Sequence, residues 1–328
     1  MIAVIGGAGY IGSHTVKMLD ESGVEIVVFD NLSTGHREFV PDHIPFVEGD
    51  LGNNLDLQNL FTRYPSIRTV IHFAALAYVG ESVQAPAKYY ENNVINTVRL
   101  LDAMIQYEVK EFVFSSTCAV YGNPVQPKLT EEHPKNPINP YGRTKWMVEQ
   151  VLHDYSQAYG LRYVALRYFN AAGASPQAEI GEWHDPETHL IPLVLDVVAG
   201  ERESITVFGD DYDTKDGTCI RDYIHVVDLA QAHQKAVDYM RAEKKNDVFN
   251  LGNGSGYSVF DVIQTVEQVT GHSVSVNVVG RRDGDPAVLI GSAEKAQRVL
   301  GWNPMYGTLT DIISTAWVWH QKMNGGKK

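Results

Sequence analysis

Tyr141 and Lys145 stand four residues apart in Asn136-Pro-Ile-Asn-Pro140-Tyr141-Gly-Arg-Thr-Lys145. Pro140 suits the start of a helix whose apolar spacing continues through Val148, Leu152, Tyr155 and Tyr159. Residues four apart share one helical face, and a phenol beside an ammonium ion has its ionised form favoured. Such a pair can supply a base that works near neutral pH. A second source of chemistry lies upstream, where Glu111 to Ser116 reads as a strand with Ser115, Ser116 and Thr117 at its carboxyl end. In an open α/β sheet that end faces ligand, although hydroxyls there also serve turns. A Tyr and a Lys at this spacing are common by chance, so their meaning depends on the elements that position them.

The strongest of those elements is the N-terminal stretch. Ile2-Ala-Val-Ile5 reads as a buried parallel strand that runs into Gly6, Gly7, Gly9 and Gly12, and Ile11, Thr15, Met18 and Leu19 follow at helical spacing. Glycines at such a turn let the backbone approach a pyrophosphate, and the amides at the helix start receive its charge. Gly23 suits the helix end, Glu25 to Phe29 reads as a second strand, and Asp30 follows Gly12 at the interval expected of a ribose-binding acid. An acid there accepts from a ribose 2′-hydroxyl and repels a 2′-phosphate, so the expected cofactor is NAD, not NADP. Pro45 to Leu51 reads as a third strand whose acid, Asp50, sits where it can meet an adenine edge or simply a solvated loop. Thr69 to Phe73 forms the next strand; Ala74-Ala75 keep the following turn small, and His72 reads as a core histidine.

Composition bounds the rest. Forty acidic residues against 27 Lys and Arg give a formal charge of −13 over 328 residues, which argues against a nucleic-acid or acidic-membrane surface and leaves any anionic ligand to local arginines. A chain of this length is expected to exceed a single core. The two cysteines, Cys118 and Cys219, make no multi-bridge framework, and the chain opens on a strand instead of a leader, so a cytoplasmic location is expected. The apolar run Leu190 to Ala199 is interrupted by Pro192 and Asp196 and is far too short to span a membrane.

The expected fold is α/β, a Rossmann-type doubly wound parallel sheet with a smaller C-terminal α/β substrate lobe. The first domain is expected over residues 1–170 and the second over 171–328, with about 220–251 packing back on the first through a helix from Val226 to Met240 and a strand Val248 to Leu251. Ser258-Val-Phe-Asp261 has a capping pattern, and the tail 325–328 is expected to be disordered. The helix expected over Asn92 to Gln106 is apolar around so much of its circumference that it needs two surfaces to bury against. With Met147, Val151 and Tyr155 on the Tyr141 helix, this points to a homodimer. The segment Glu182-Trp-His-Asp-Pro-Glu-Thr-His189 has the residue types of a metal site. No helix or strand period puts His184, Asp185, Glu187 and His189 on one face, so no metal is expected.

Taken together, these motifs resemble the extended short-chain dehydrogenase/reductase family, and within it the nucleotide-sugar epimerase branch. The resemblance runs over nearly the whole chain. It is carried by Gly6-Gly-Ala-Gly-Tyr-Ile-Gly-Ser-His-Thr15, Asp30-Asn-Leu32, His72-Phe-Ala74, Val79-Gly-Glu-Ser82 and Asn139-Pro-Tyr-Gly142. More specific are Arg167-Tyr-Phe-Asn170, Phe208-Gly-Asp-Asp-Tyr212, Asp216-Gly-Thr218 and Arg221-Asp-Tyr-Ile-His225. The resemblance implies a UDP-sugar substrate inverted at C4, as in interconversion of UDP-galactose and UDP-glucose, by transient oxidation with bound NAD. Tyr141 is then the base, Lys145 its positioning cation and Thr117 a second hydroxyl on the same sugar oxygen. The implied NAD site comprises Gly6, Gly9, Tyr10, Ile11 and Gly12, with Asp30, Asn31, Asp50 and Leu51 at the adenosine end. Phe73, Ala74, Asn93, Tyr141, Lys145 and Tyr168 complete it. The implied substrate site adds Asn170, His189, Leu190, Phe208 and Asp285 to Thr117 and Tyr141, with Arg221 and Arg282 on the diphosphate and Leu289 beside the sugar.

The sequence departs from the family pattern at three places. Relatives commonly carry Lys where Ala77 stands, Asn-Asn-Leu where Thr188-His189-Leu190 stands, and Tyr where Leu289 stands. Epimerases of other UDP-sugars, including UDP-N-acetylglucosamine, UDP-pentose and UDP-glucuronate, share most of these motifs. A nucleotide-sugar dehydratase would carry acids after the strand-end Thr, where this chain has Cys118-Ala119, and a non-catalytic NAD-sensing protein commonly loses the Tyr or Lys retained here.

Overall fold

The computed structural model describes residues 1–282 and 286–325. In chain order its first half runs β1 (Ile2–Ile5), α1 (Tyr10–Glu21), β2 (Ile26–Asp30), β3 (Phe46–Glu48), α2 (Asn54–Arg63), β4 (Thr69–His72), α3 (Val79–Gln84), α4 (Pro86–Tyr89), α5 (Asn96–Gln106), β5 (Glu111–Thr117), α6 (Pro140–Tyr159) and β6 (Arg162–Tyr168). The second half runs β7 (Asn170–Ala172), α7 (Leu190–Ala199), β8 (Ile205–Phe208), β9 (Ile220–Arg221), β10 (Tyr223–His225), α8 (Val226–Glu243), β11 (Asp247–Leu251), β12 (Tyr257–Ser258), α9 (Val259–Thr270), β13 (Val276–Val279), β14 (Val288–Leu289), α10 (Glu294–Leu300) and α11 (Leu309–Gly325). Of the tail expected to be disordered, 326–328 lie outside the described residues, and Gly325 ends α11.

Seven strands, all parallel, form the main sheet in the order β11-β6-β5-β4-β1-β2-β3. Strand order reverses direction between β1 and β4, and that switch point is where a doubly wound sheet receives its ligand. Alternate residues of each strand feed opposite cores. Val4, Val28, Val113 and Val164 pack with Val16 and Leu19 of α1 and Leu229, Ala236 and Met240 of α8. Ile5, Phe29, Val70, Phe112 and Phe114 pack with Leu57 and Leu60 of α2, Leu100 and Met104 of α5, and Val148 and Leu152 of α6. The sheet is therefore buried on both faces, which is why its strands read as continuous apolar runs. A separate core holds α7, α9 and α11 against β8 and β10 through residues such as Val194, Val262, Ile312 and Val207. Strand β11 joins the main sheet beside β6, and α8 lies against α1.

Local signals fix the ends of the functional helices. Asn139 caps α6 by accepting from the Gly142 amide at 2.8 Å, Pro140 occupies its first turn, and Gly160 ends it in the left-handed region at φ +70°. The Ser258/Asp261 pair forms a reciprocal capping box on α9. Two segments differ from the sequence reading. The expected helix over Asn92 to Gln106 is π-helical over Tyr90–Ile95 before α5 begins at Asn96. There Asn93 turns inward, donating to the Leu76 carbonyl at 2.9 Å and to Thr144 Oγ1 at 3.1 Å, and accepting from the Leu76 amide at 2.9 Å. Those tertiary bonds set the wider turn. The third strand is also shorter than Pro45 to Leu51, because Asp50 and Leu51 enter the turn before α2.

Candidate active site

Strand β5 and helix α6 meet at the carboxyl edge of the sheet. Thr117, the last residue of β5, accepts from the Ala119 amide at 3.2 Å. Its hydroxyl lies near enough to the phenol of Tyr141, on the first turn of α6, to favour that phenol's ionised form. One turn later Lys145, only 4% exposed, donates from Nζ to the Ser115 carbonyl at 2.8 Å and lies 4.8 Å over the Phe114 ring. Burial pulls its ammonium down to about 7, with Glu149 opposing. Tyr168, beside Thr117 in register, shares a 2.5 Å hydrogen bond with Ser115 Oγ and is pushed by burial up to about 12. Tyr141 itself is raised well above the ordinary phenol value, chiefly by burial and then by Tyr168, while the Thr117 hydroxyl opposes the shift. The spacing argument had Lys145 lowering it. In the protein alone burial outweighs that influence; it lowers Lys145 as well, and Nζ turns to the Ser115 carbonyl.

The glycine turn lies at the switch point. Gly6 adopts φ +77°, and a Cβ there would stand 2.6 Å from the Ala74 amide in the turn after β4. A Cβ on Gly12 would collide with the Gly6 carbonyl. The α1 N-terminus at Gly9 has no side-chain cap and no acid in its first turn, so its amides remain available to an anion. Asp30 takes the Ala8 amide on Oδ2 at 2.9 Å and the Leu32 amide on Oδ1 at 2.8 Å, which leaves each oxygen a further lone pair for a ribose hydroxyl. Asn31 donates to Asp50 Oδ2 at 2.7 Å. This arrangement fits a dinucleotide.

Not every residue of the expected cofactor set presents its side chain there. Tyr10 points away and donates to the Gly173 carbonyl at 2.5 Å, Leu51 is buried in the core beside α2, and Asn93 spends its amide on Leu76 and Thr144. Ile11 packs on the α1 side of the sheet, where the Phe73 ring lies tilted against His233 with centroids 4.5 Å apart. His72 is in the core, bonded to Thr97 at 3.0 Å.

The expected substrate residues lie on short strands and loops beyond the sheet edge. Asn170 starts β7 and donates to the Asp222 carbonyl at 2.9 Å; it lines one cavity with Glu182, His189 and Leu190. Leu289 of β14 is in register with Arg221 of β9 and packs with Cys118 against Val120 and Phe169, just past the Thr117 strand end. Arg221 donates to the Pro286 carbonyl at 2.8 Å. The Arg282 guanidinium sits 4.3 Å over the Phe208 ring. Asp285 lies outside the described residues.

A family model described as the NAD dependent epimerase/dehydratase family matches residues 2–252. The chain belongs to that family. It is 54% identical over 321 residues to the UDP-glucose 4-epimerase of Halalkalibacterium halodurans, covering 98% of this chain and 96% of that one. Its fold superposes on the UDP-glucose 4-epimerase of Brucella ovis in complex with NAD with a TM-score of 0.94, at 51% identity over 97% of each chain. For the UDP-Glc/GlcNAc 4-epimerase of Campylobacter jejuni the TM-score is 0.86, at 44% identity over 98% of this chain and 99% of that one. NAD is the cofactor of this NAD-dependent family, in agreement with the fit of the glycine turn and Asp30.

Within this family fold, one buried network escaped the sequence reading. Glu149, two turns after Tyr141, accepts from Ser116 Oγ at 2.6 Å and Arg167 Nε at 2.9 Å, and pairs through its other oxygen with the same guanidinium. Arg167 passes on to Tyr121 Oη at 2.9 Å, which donates to Asn250 at 2.6 Å. The network ties β5, α6, β6 and β11 together behind the Tyr141/Lys145 pair. Its signal was a glutamate on the apolar face of a helix. The Glu182–His189 segment, from which no metal is expected on the sequence, does bring its ligating groups together. Glu182, His184, Glu187 and His189 converge on one point of the loop before α7, although no regular element aligns them, and Asp185 stays apart. Burial lowers both imidazoles, but Glu182 and Glu187 outweigh it and raise His184 to about 9 and His189 to about 10.

Proposed function

We propose that the chain is a UDP-glucose 4-epimerase that interconverts UDP-galactose and UDP-glucose. The observation that carries this reading is the approach of the Tyr141 phenol to the Thr117 hydroxyl at the carboxyl edge of the sheet, the edge that also carries the glycine turn after β1. Bound NAD supplies the acceptor and donor of the C4 hydrogen. Tyr141 removes the proton of the sugar 4-hydroxyl and returns it, Thr117 holds the same sugar oxygen, and Lys145 brings the compensating cation. Inversion at C4 requires the sugar to turn while its nucleotide stays fixed. Arg221, Arg282 and Asn170 hold the diphosphate end in this reading, and His189-Leu190 and Phe208 frame it. Residues 1–170 then serve the dinucleotide and 171–328 the nucleotide sugar, apart from the α8–β11 return.

The chain is further read as a cytoplasmic homodimer. Among the described residues no helix is long and apolar enough to cross a membrane. Met147 on α6 and Ile95 before α5 remain 44% and 43% exposed, and Tyr159 extends the same α6 surface. Pairing α5 and α6 across a two-fold axis covers these side chains. A concentration-independent monomer by light scattering contradicts it.

The test of activity is purified protein saturated with NAD and supplied with UDP-galactose. UDP-glucose is the expected product. A stable 4-keto-6-deoxy sugar, or no 4-epimer from any UDP-hexose, overturns the reading. Leu289 supports UDP-N-acetylglucosamine as a further substrate, since leucine where relatives commonly carry tyrosine leaves more room beside the sugar.

A further inference from the structure

The loop that leads into α7 gathers four metal-ligating side chains within eight residues of sequence. One donor atom from each of Glu182, His184, Glu187 and His189 lies within 4.8 Å of every other. His184 Nδ1 stands 3.4 Å from Glu182 Oε1 and 3.6 Å from Glu187 Oε2, and His189 Nδ1 stands 3.2 Å from Glu187 Oε1. His189 Nδ1 and Glu182 Oε1 approach to 2.6 Å. All but the 3.6 Å contact are within hydrogen-bonding reach, but the directions do not suit it. Glu182 Oε1, His184 Nδ1 and His189 Nδ1 are all buried, and none of them has a partner in hydrogen-bonding geometry. Four ligating groups therefore crowd one another without the directed hydrogen bonds that would satisfy them.

Four donors placed tetrahedrally at about 2.0–2.1 Å from a metal stand about 3.3 Å apart. With one donor atom per residue and Glu187 taken through Oε2, the separations from His184 Nδ1, 3.4 Å to Glu182 and 3.6 Å to Glu187, fall near that value, and the 2.6 Å His189–Glu182 pair must open. The surroundings also look built. Glu187 Oε1 takes the backbone amides of Thr188 at 2.7 Å and His189 at 2.8 Å, so its carboxylate is oriented from outside the cluster. The Tyr10 ring meets the His184 ring edge-on at 6.1 Å, and Tyr10 is itself pinned by its bond to Gly173. Two imidazoles and two carboxylates are a donor set for zinc or a neighbouring first-row divalent ion, and a poor one for magnesium or calcium, which prefer oxygen alone.

We infer that Glu182, His184, Glu187 and His189 form a structural site for a divalent transition metal, zinc by preference. Four protein ligands leave no open position, so the metal braces the loop and takes no part in chemistry. It joins the loop to the start of α7 and seats it against Tyr10 of α1. Glu182 and His189 then hold the metal at the wall of the cavity that they line with Asn170 and Leu190. This inference stands independently of the epimerase reading.

The test uses full-length protein without a histidine tag, stripped with a chelator, desalted, and incubated with zinc alone or cobalt(II) alone. Elemental analysis after a second desalting is expected to find one equivalent of zinc, with a higher thermal midpoint than the stripped protein. Cobalt(II) is expected to give the intense visible absorption of tetrahedral coordination. Glu182→Gln and His184→Ala should each weaken zinc retention more than tenfold while keeping NAD content. If His184→Ala loses NAD content and so fails to fold, the near-isosteric Glu182→Gln and the wild-type cobalt spectrum decide. Less than a tenth of an equivalent in the wild type, retention unchanged in Glu182→Gln, or a cobalt spectrum without tetrahedral bands shows instead a network of imidazolium–carboxylate pairs and overturns the inference.

Discussion

Replacing Glu149 by Gln removes one charge from a pair that is almost completely enclosed, since Glu149 is 4% exposed and Arg167 is 2% exposed. The carboxylate receives both Nε and Nη2 of Arg167 and the Ser116 hydroxyl. An amide can accept only part of this and leaves the guanidinium uncompensated. Breaking one side of a buried pair costs about 3–5 kcal/mol. An unfolding entropy of about 2.1 cal/mol/K per residue amounts to about 0.7 kcal/mol/K for this 328-residue chain, so the midpoint should fall by roughly 4–7 °C. Thermal unfolding at fixed NAD concentration measures this. The double replacement Glu149→Leu with Arg167→Met should recover most of the loss, because it removes both charges together. The same carboxylate holds Ser116, next to Thr117, and favours the charged form of Lys145, so activity should fall along with stability in Glu149→Gln. A midpoint within 1 °C of wild type for the single variant, or a double variant as unstable as either single one, refutes this account of the network.

Tyr141→Phe should lower turnover by about 10²- to 10⁴-fold, the ordinary worth of a positioned proton transfer, while UDP affinity and NAD content stay near wild type; comparable turnover removes Tyr141 from its role. Stability should fall steeply as pH drops from 6.5 toward 4, because burial holds His14 and His233 at about 4 and His72 and His225 at about 3. In that window the unfolded chain binds protons that the folded chain refuses, at up to about 1.4 kcal/mol per pH unit for each histidine. Urea midpoints read it, and a flat profile contradicts it. Leu289→Tyr should suppress epimerisation of UDP-N-acetylglucosamine about tenfold or more relative to UDP-glucose, the effect of restoring a clash of about 1–3 kcal/mol; equal loss of both activities assigns Leu289 to the fold alone.

Much of the sheet was legible because its strands are buried on both faces and its glycine turn obeys local rules. Gly6 needs a positive φ, Gly12 has no room for a side chain, and both constraints are written in the sequence. Pro140 and Asn139 likewise announce the helix that carries Tyr141. The substrate side is different. Strands β9, β12 and β14 are two residues long, too short for any periodicity, and their pairing is decided by partners far away in the chain. The π-helical turn at Tyr90–Ile95 depends on what Asn93 finds at Leu76 and Thr144. The Glu182–His189 loop was dismissed because no helix or strand aligns it, yet packing against Tyr10 and Tyr78 aligns it without either. The spacing of Tyr141 and Lys145 likewise left out burial, which acts on both groups. Spacing reports proximity and says nothing of the desolvation that both groups undergo.

Epimerisation with transient oxidation at C4 is tested most directly by following UDP-galactose deuterated at C4 in ordinary water by proton NMR, using purified protein. The account predicts UDP-glucose that keeps its deuterium at C4, formed without net accumulation of reduced cofactor, because the hydrogen leaves and returns to the same carbon within one bound complex. Deuterium washed out into solvent, or a product that is not the 4-epimer, contradicts it.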